Sequence, residues 1–261
     1  MLESSVLMSR YMHYSITEKK ENIWIAQREG RAKDSSDHTQ DSVLKMLALG
    51  GEGTIVEKLK ALNIVPLTIS YEYDPCDYLK AAEFQLKRDN ADYKKSKNDD
   101  LLSMQTGITG YKGRIHYAFT PCINPKLDEI AQNCANKKEQ AAAVCAVIDA
   151  QIHSAYQLYA INRWAYEQLT GDTQYATVDG ADERTMAEKY LRRQLTKINI
   201  PNICSDAIND LICAYKSGIF IKTFTIFYLI FACMHRMITL LDISMLENIL
   251  CCKLRTSGKN M

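Results

Sequence analysis

Nothing in the 261 residues reads as a nucleotide-binding fingerprint. No Gly-x-Gly-x-x-Gly follows an apolar strand, and there is no Gly-x-x-x-x-Gly-Lys-Ser/Thr loop. An unrelated α/β nucleotide binder is therefore disfavoured. A one-signed charge excess is missing too. The formal net charge is +1, whereas a protein that grips a phosphate backbone advertises a strong basic surplus, so no nucleic-acid partner is expected. The nine cysteines include no Cys-x-x-Cys pair, and Cys76, Cys122, Cys134 and Cys145 sit in unrelated local contexts. That distribution argues against a disulfide scaffold and against a metal site of zinc type, and it fits reduced thiols in a cytoplasmic setting. The opening residues Met1 to Met8 lack the basic leader, apolar core and small-residue cleavage site of a secretory signal.

What is present is ordinary globular material, 47% hydrophobic and 24% charged, enough for one domain with a sizeable core. Leu2, Val6, Met8, Met12 and Ile16 recur at helical intervals, and the spacing predicts an amphipathic helix over 2–20 closed by Lys19 and Lys20. Ile23-Trp24-Ile25-Ala26 reads as a short buried strand. Asp41 opens a helix that stops at Gly50-Gly51. Thr54 and Glu57 form a capping box for the next helix, ending near Asn63. Ile64 to Tyr71 is a second strand, apolar enough to be buried on both faces, with Pro66 confined to an end, an edge or a bulge. Asp77 caps a helix to about Asn90. Arg114 to Phe119 alternates as a third strand with Ile115, Tyr117 and Phe119 on one face. This order predicts an α/β fold, a mixed and partly parallel sheet with flanking helices. From Lys126 alanine-rich helical sequence follows, giving a helical region over 126–200.

The chemically distinctive stretch follows Ile23–Ala26. Glu29, Gly30, Arg31 and Lys33 crowd one loop. Arginine offers a planar fork to phosphate, lysine adds a point charge, and glycine lets backbone amides come close. The loop is a candidate anion receptor.

With these pieces placed, residues 1–125 resemble the later part of the glycerophospholipid acyltransferase family. Glu29-Gly30-Arg31-Ala32-Lys33 is similar to the family's phosphate-binding block. Ile64-Val65-Pro66-Leu67-Thr68-Ile69-Ser70-Tyr71-Glu72 is similar to the apolar strand around a proline that shapes the acceptor pocket. Gly113 to Pro121 resembles a later strand. The resemblance implies transfer of a fatty acyl group from an acyl-CoA or acyl-carrier-protein thioester, as co-substrate and not as bound cofactor, to glycerol 3-phosphate or lysophosphatidic acid. Glu29, Gly30, Arg31 and Lys33 would bind the acceptor phosphate, and Pro66 and His38 would line the acceptor pocket. It further implies a place in phospholipid biosynthesis and a peripheral position on the inner face of the cell membrane.

One signature is missing. The family's catalytic histidine, followed five positions later by aspartate, lies several tens of residues before the phosphate block, yet only 28 residues precede Glu29. His13 with Glu18 is the nearest imitation and falls inside a predicted helix. The chain is thus expected to be the later part of such an enzyme, begun at an internal methionine and catalytically incomplete. The alternative is a non-catalytic lipid- or membrane-associated binding module.

Other histidines have simpler roles. His116 lies opposite the Ile115 and Tyr117 face, and His153 has Asp149 one turn earlier for a local hydrogen bond. The run from Lys87 to Lys97 could touch anionic lipid, but Asp89, Asp92, Asp99 and Asp100 near it suit a solvated face. Tyr156, Tyr159 and Tyr166 recur near helical spacing as packing residues. The tail over 201–261 is atypical. Its apolar stretch 219–241 is interrupted by Lys222, His235 and Arg236, and fits a membrane helix, an interfacial helix or a mispacked tail.

Overall fold

In a computed structural model the described residues are 2–27 and 38–199. The expected phosphate residues Glu29, Gly30, Arg31 and Lys33 and the apolar 219–241 stretch lie outside the described residues. Those described belong to a unit spanning 1–223.

Local chemistry sets several helix ends. The first helix, α1 (Leu2–Thr17), gives way to a turn in which Lys20 takes φ 58°. Next come α2 (Asp41–Leu47) and α3 (Ile55–Ala61). The α3 start is the expected capping box: Thr54 Oγ1 accepts from the Glu57 N–H at 3.2 Å, and Glu57 Oε2 accepts from the Thr54 N–H at 2.7 Å. The remaining helices are α4 (Asp77–Asp89), α5 (Lys97–Thr109), α6 (Asn124–Asn133), α7 (Lys137–Ser154), α8 (Ala160–Thr170) and α9 (Ala181–Leu195). Asn136 caps α7 through its side-chain oxygen, and α8 stops where Gly171 turns left-handed at φ 71°.

The sheet departs from expectation. The described residues hold two strands, β1 (Leu67–Tyr71) and β2 (Ile115–Phe119), and these pair antiparallel, with Leu67 opposite Phe119, Ile69 opposite Tyr117 and Tyr71 opposite Ile115. The described residues are mostly helical with a small antiparallel ribbon, and the partly parallel sheet expected is not among them. Residues 23–26 form no strand; Trp24 is exposed and no described strand takes up a ladder beside it. Nor is β1 buried on both faces. Thr68 is buried, its hydroxyl donating to the Ile152 carbonyl at 3.1 Å, while Ile69 and Tyr71 face solvent. The strand begins after Pro66, which has no N–H for a ladder.

Two clusters form the interior. In the larger, Met12, Leu44, Leu59, Leu127, Val144 and Ile152 join α1, α2, α3, α6 and α7, so the core runs across the expected boundary at 125. Two consecutive glycines let α1 and α2 meet: a Cβ on Gly50 would stand 2.8 Å from the Ser9 backbone, and one on Gly51 2.7 Å from the His13 ring. The smaller cluster packs Tyr73, Ala81, Ile161, Ala165, Tyr190 and Leu191 between α4, α8 and α9. Among the described residues, no helix is long and apolar enough to cross a membrane.

Candidate functional site

Helix α7 buries Ala141, Val144, Ile148 and Ile152 at helical spacing. A neighbouring stripe, Cys145, Asp149 and His153, follows at intervals of four residues and lies one above the other. Asp149 is its working member. One carboxylate oxygen accepts from both the Thr39 N–H at 2.7 Å and the Thr39 hydroxyl at 2.6 Å, while the other faces His38 Nδ1 at 3.4 Å. The His153 ring meets the His38 ring edge-on, with centroids 5.5 Å apart at 84°, and Tyr156 lies 5.5 Å beyond.

This geometry limits the chemistry. The Asp149 side chain is 17% exposed and that of His38 69%, so the imidazole is presented to solvent on a fixed carboxylate. At 3.4 Å the contact is a solvent-screened attraction, not a short charge-assisted bond. An imidazole so placed can contact a hydroxyl or an anion. The Cys145 thiol is pushed up by burial and then by the negative charges of Asp149 and Asp41, which keeps it protonated and unsuited as a nucleophile. Among the described residues no group of three His, Cys, Asp or Glu side chains is arranged to hold a metal ion.

The site also fixes both ends of the segment carrying Glu29, Gly30, Arg31 and Lys33. The Gln40 N–H donates to the Gln27 carbonyl at 3.0 Å, and Thr39, next in line, is clamped by Asp149. Pro66 is tied to the same helix from the sheet side. Its carbonyl accepts from the Thr120 N–H at 3.0 Å, and the Thr120 hydroxyl lies 2.8 Å from Gln151 Oε1. The two expected acceptor-pocket residues, His38 and Pro66, are therefore both anchored to residues 149–152 of α7.

Asp149 and Gln151 carry this arrangement, and sequence reasoning assigned neither a role in it. The expectation that Asp149 serves His153 is corrected: it turns to Thr39 and His38, 110 and 111 positions away. Only the four-residue spacing of Cys145, Asp149 and His153 hints at a shared face. His13 is a core residue whose Nε2 lies 3.0 Å from the Leu47 carbonyl. Glu18 sits past the end of α1, bonded through its backbone to Tyr14. His116 pairs across the ribbon with Ser70, on the face turned away from Tyr117.

Compared with family models, curated proteins and solved structures, the chain matches none. Its chemistry has to be argued from its own residues.

Proposed function

We propose that the chain is the acceptor-binding part of a phospholipid-biosynthesis acyltransferase. Arg31 and Lys33 grip the phosphate of glycerol 3-phosphate or lysophosphatidate, Gly30 admits it close to the backbone, and Glu29 organises the loop. His38 and Pro66 line the acceptor pocket. In the full reaction the acceptor hydroxyl attacks a thioester carbonyl; a C–O bond forms, the C–S bond breaks, and the carrier thiol leaves with the hydroxyl proton. No histidine of this sequence is followed five positions later by aspartate to supply the general base for that step, and in this reading the chain binds without efficient turnover. In this reading β1 and β2 belong to the larger mixed sheet of such a domain, at the inner face of the cell membrane.

The observation that supports the reading is the common anchoring on α7. Gln27, Gln40 and Thr39 hold the two ends of the basic segment beside His38, and the Pro66 carbonyl is fixed through Thr120 to Gln151, two residues beyond Asp149 on the same helix. Titration calorimetry tests it. Glycerol 3-phosphate and lysophosphatidate should bind and glycerol should not, and Arg31→Ala with Lys33→Ala should abolish the heat. Acyl-CoA with glycerol 3-phosphate should yield less than one product per chain. Equal binding of glycerol and its phosphate ester would overturn the phosphate role. A robust rate lost in His13→Ala would overturn the incompleteness.

A further inference from the structure

Helix α5 is built inside out. Its inward side is small and polar: Ser103 is buried, its hydroxyl donating to the Asp99 carbonyl at 2.8 Å, and a Cβ on Gly107 would lie 3.6 Å from Cys76 Sγ. Its outward side is apolar. Leu101 is 63% exposed, Met104 53%, Ile108 75% and, just past the helix, Tyr111 66%. With Lys97 they form one stripe, Lys97, Leu101, Met104, Ile108 and Tyr111, at alternating steps of four and three residues. A solitary exposed leucine needs no explanation, but a continuous stripe of them on one helix does.

We infer that this face of α5 docks on an anionic phospholipid surface. The charges around it select that occupant. Of the carboxylates of the preceding mixed run, Asp99 and Asp100 are engaged within the protein, as is the neighbouring Glu83, while Asp92 is exposed. Asp99 accepts from the Ser96 N–H at 2.9 Å and the Ser96 hydroxyl at 2.7 Å, Asp100 pairs with Lys95 at 3.4 Å, and Glu83 takes Lys87 at 2.7 Å and Lys95 at 3.6 Å. Among the described residues Lys94 and Lys97 have no carboxylate partner. They stand at the start of the stripe; Lys112, at its end beside Tyr111, turns back to donate to the Ile108 and Gly110 carbonyls at 3.1 and 3.0 Å. Long-stemmed ammonium groups at one end of an apolar face, with a tyrosine at the other, suit a helix lying in the headgroup layer. Its apolar side chains enter the acyl region while the lysines reach outward to phosphates. A helix of 13 residues, about 20 Å long, lies along such a surface and does not cross it. A second copy of the chain would satisfy the apolar stripe and leave the lysines unanswered.

The inference extends the acceptor reading, resting on it only for what the surface serves: a lysophosphatidate acceptor resides in a bilayer. The test keeps the two apart by using vesicles that contain no lysophosphatidate. The full chain is floated with phosphatidylcholine vesicles with and without phosphatidylglycerol. It should float with the anionic vesicles, and Leu101→Glu with Ile108→Glu should cut the bound fraction on the order of tenfold. Lys94→Glu with Lys97→Glu should cut it less and reduce its salt sensitivity. Other parts of the chain could also bring it to vesicles, so a local readout is needed. Ile108→Trp should add a blue-shifted emission quenched by brominated lipid, above the signal of Trp24 and Trp164. Unchanged flotation of the Leu101/Ile108 variant, or a tryptophan at 108 untouched by brominated lipid, overturns the inference. So does a lipid-free dimer that the same variant dissolves. Glycerol 3-phosphate binding, measured without any bilayer, can hold or fail independently of all three results.

Discussion

The ground around α7 and the ground around α5 obey opposite rules. Around α7 the apolar side chains point inward, and the polar ones are answered at a distance: Asp149 by Thr39, Thr120 by Pro66 and Gln151, Thr68 by Ile152. Along α5 the small polar residues point inward and the large apolar ones outward. The β1–β2 ribbon repeats the pattern. Ile69, Tyr71, Ile115, Tyr117 and Phe119 share one exposed face, and Thr68 and Ser70 face the helices. A region whose apolar groups are buried within the chain is complete in itself. A region that turns them outward presents apolar surface that a further surface could cover.

The contrast can be broken by stability measurements. Leu59→Ala or Leu127→Ala, at positions fully enclosed in the α7 core, should cost about 2–5 kcal/mol in urea unfolding. Ile108→Ala should cost less than about 0.5 kcal/mol. Comparable losses at the two kinds of site would erase the distinction. Asp149→Ala strips the acceptor from two Thr39 donors and should cost about 1–3 kcal/mol. It should also speed proteolysis between Gln27 and Gln40 relative to Leu59→Ala at matched stability.

Smaller effects sharpen the picture at helix starts. Thr54→Ala removes the α3 cap and should cost about 1 kcal/mol, read as a lower thermal midpoint. The Glu57 carboxyl is held below its ordinary 4.5 by hydrogen bonds from the Thr54 backbone and hydroxyl, and Asp99 below 3.8 by those from the Ser96 side chain and backbone. A lowered carboxylate stabilises the fold above its unfolded value, and that contribution is lost as pH falls through the folded value. Glu57→Gln with Asp99→Asn should therefore flatten the acid limb of the urea midpoint, with little change near neutrality. An acid limb of unchanged steepness would show that neither cap is formed in solution.

Features closed within a few residues were legible in the sequence. The Thr54–Glu57 box and the placement of Pro66 outside the ladder both follow from local stereochemistry. Features that depend on a distant partner were not. Strand direction depends on which segment lies alongside, and Leu67–Tyr71 looks the same whether its neighbour runs parallel or antiparallel. Ile23-Trp24-Ile25 has the composition of a strand, but in the described residues no neighbour completes it. The alternation in Ile115, Tyr117 and Phe119 correctly put the three on one face, yet alternation alone cannot say which face is wet. Helix α5 was hidden because its apolar residues carry no inward signal. The His38–Asp149 contact spans most of the described chain, and only folding reveals it.

The clasp between Gln27 and Gln40 has a consequence for how such a protein could change. Its two ends are joined to each other by the Gln40–Gln27 hydrogen bond and to α7 through Thr39 and Asp149. The entropic cost of lengthening the connection between them grows only logarithmically, about 0.6 kcal/mol per doubling. If the basic segment receives the acceptor phosphate as we propose, its ligand preference can be altered by insertion, deletion or substitution in that interval while its two ends stay fixed.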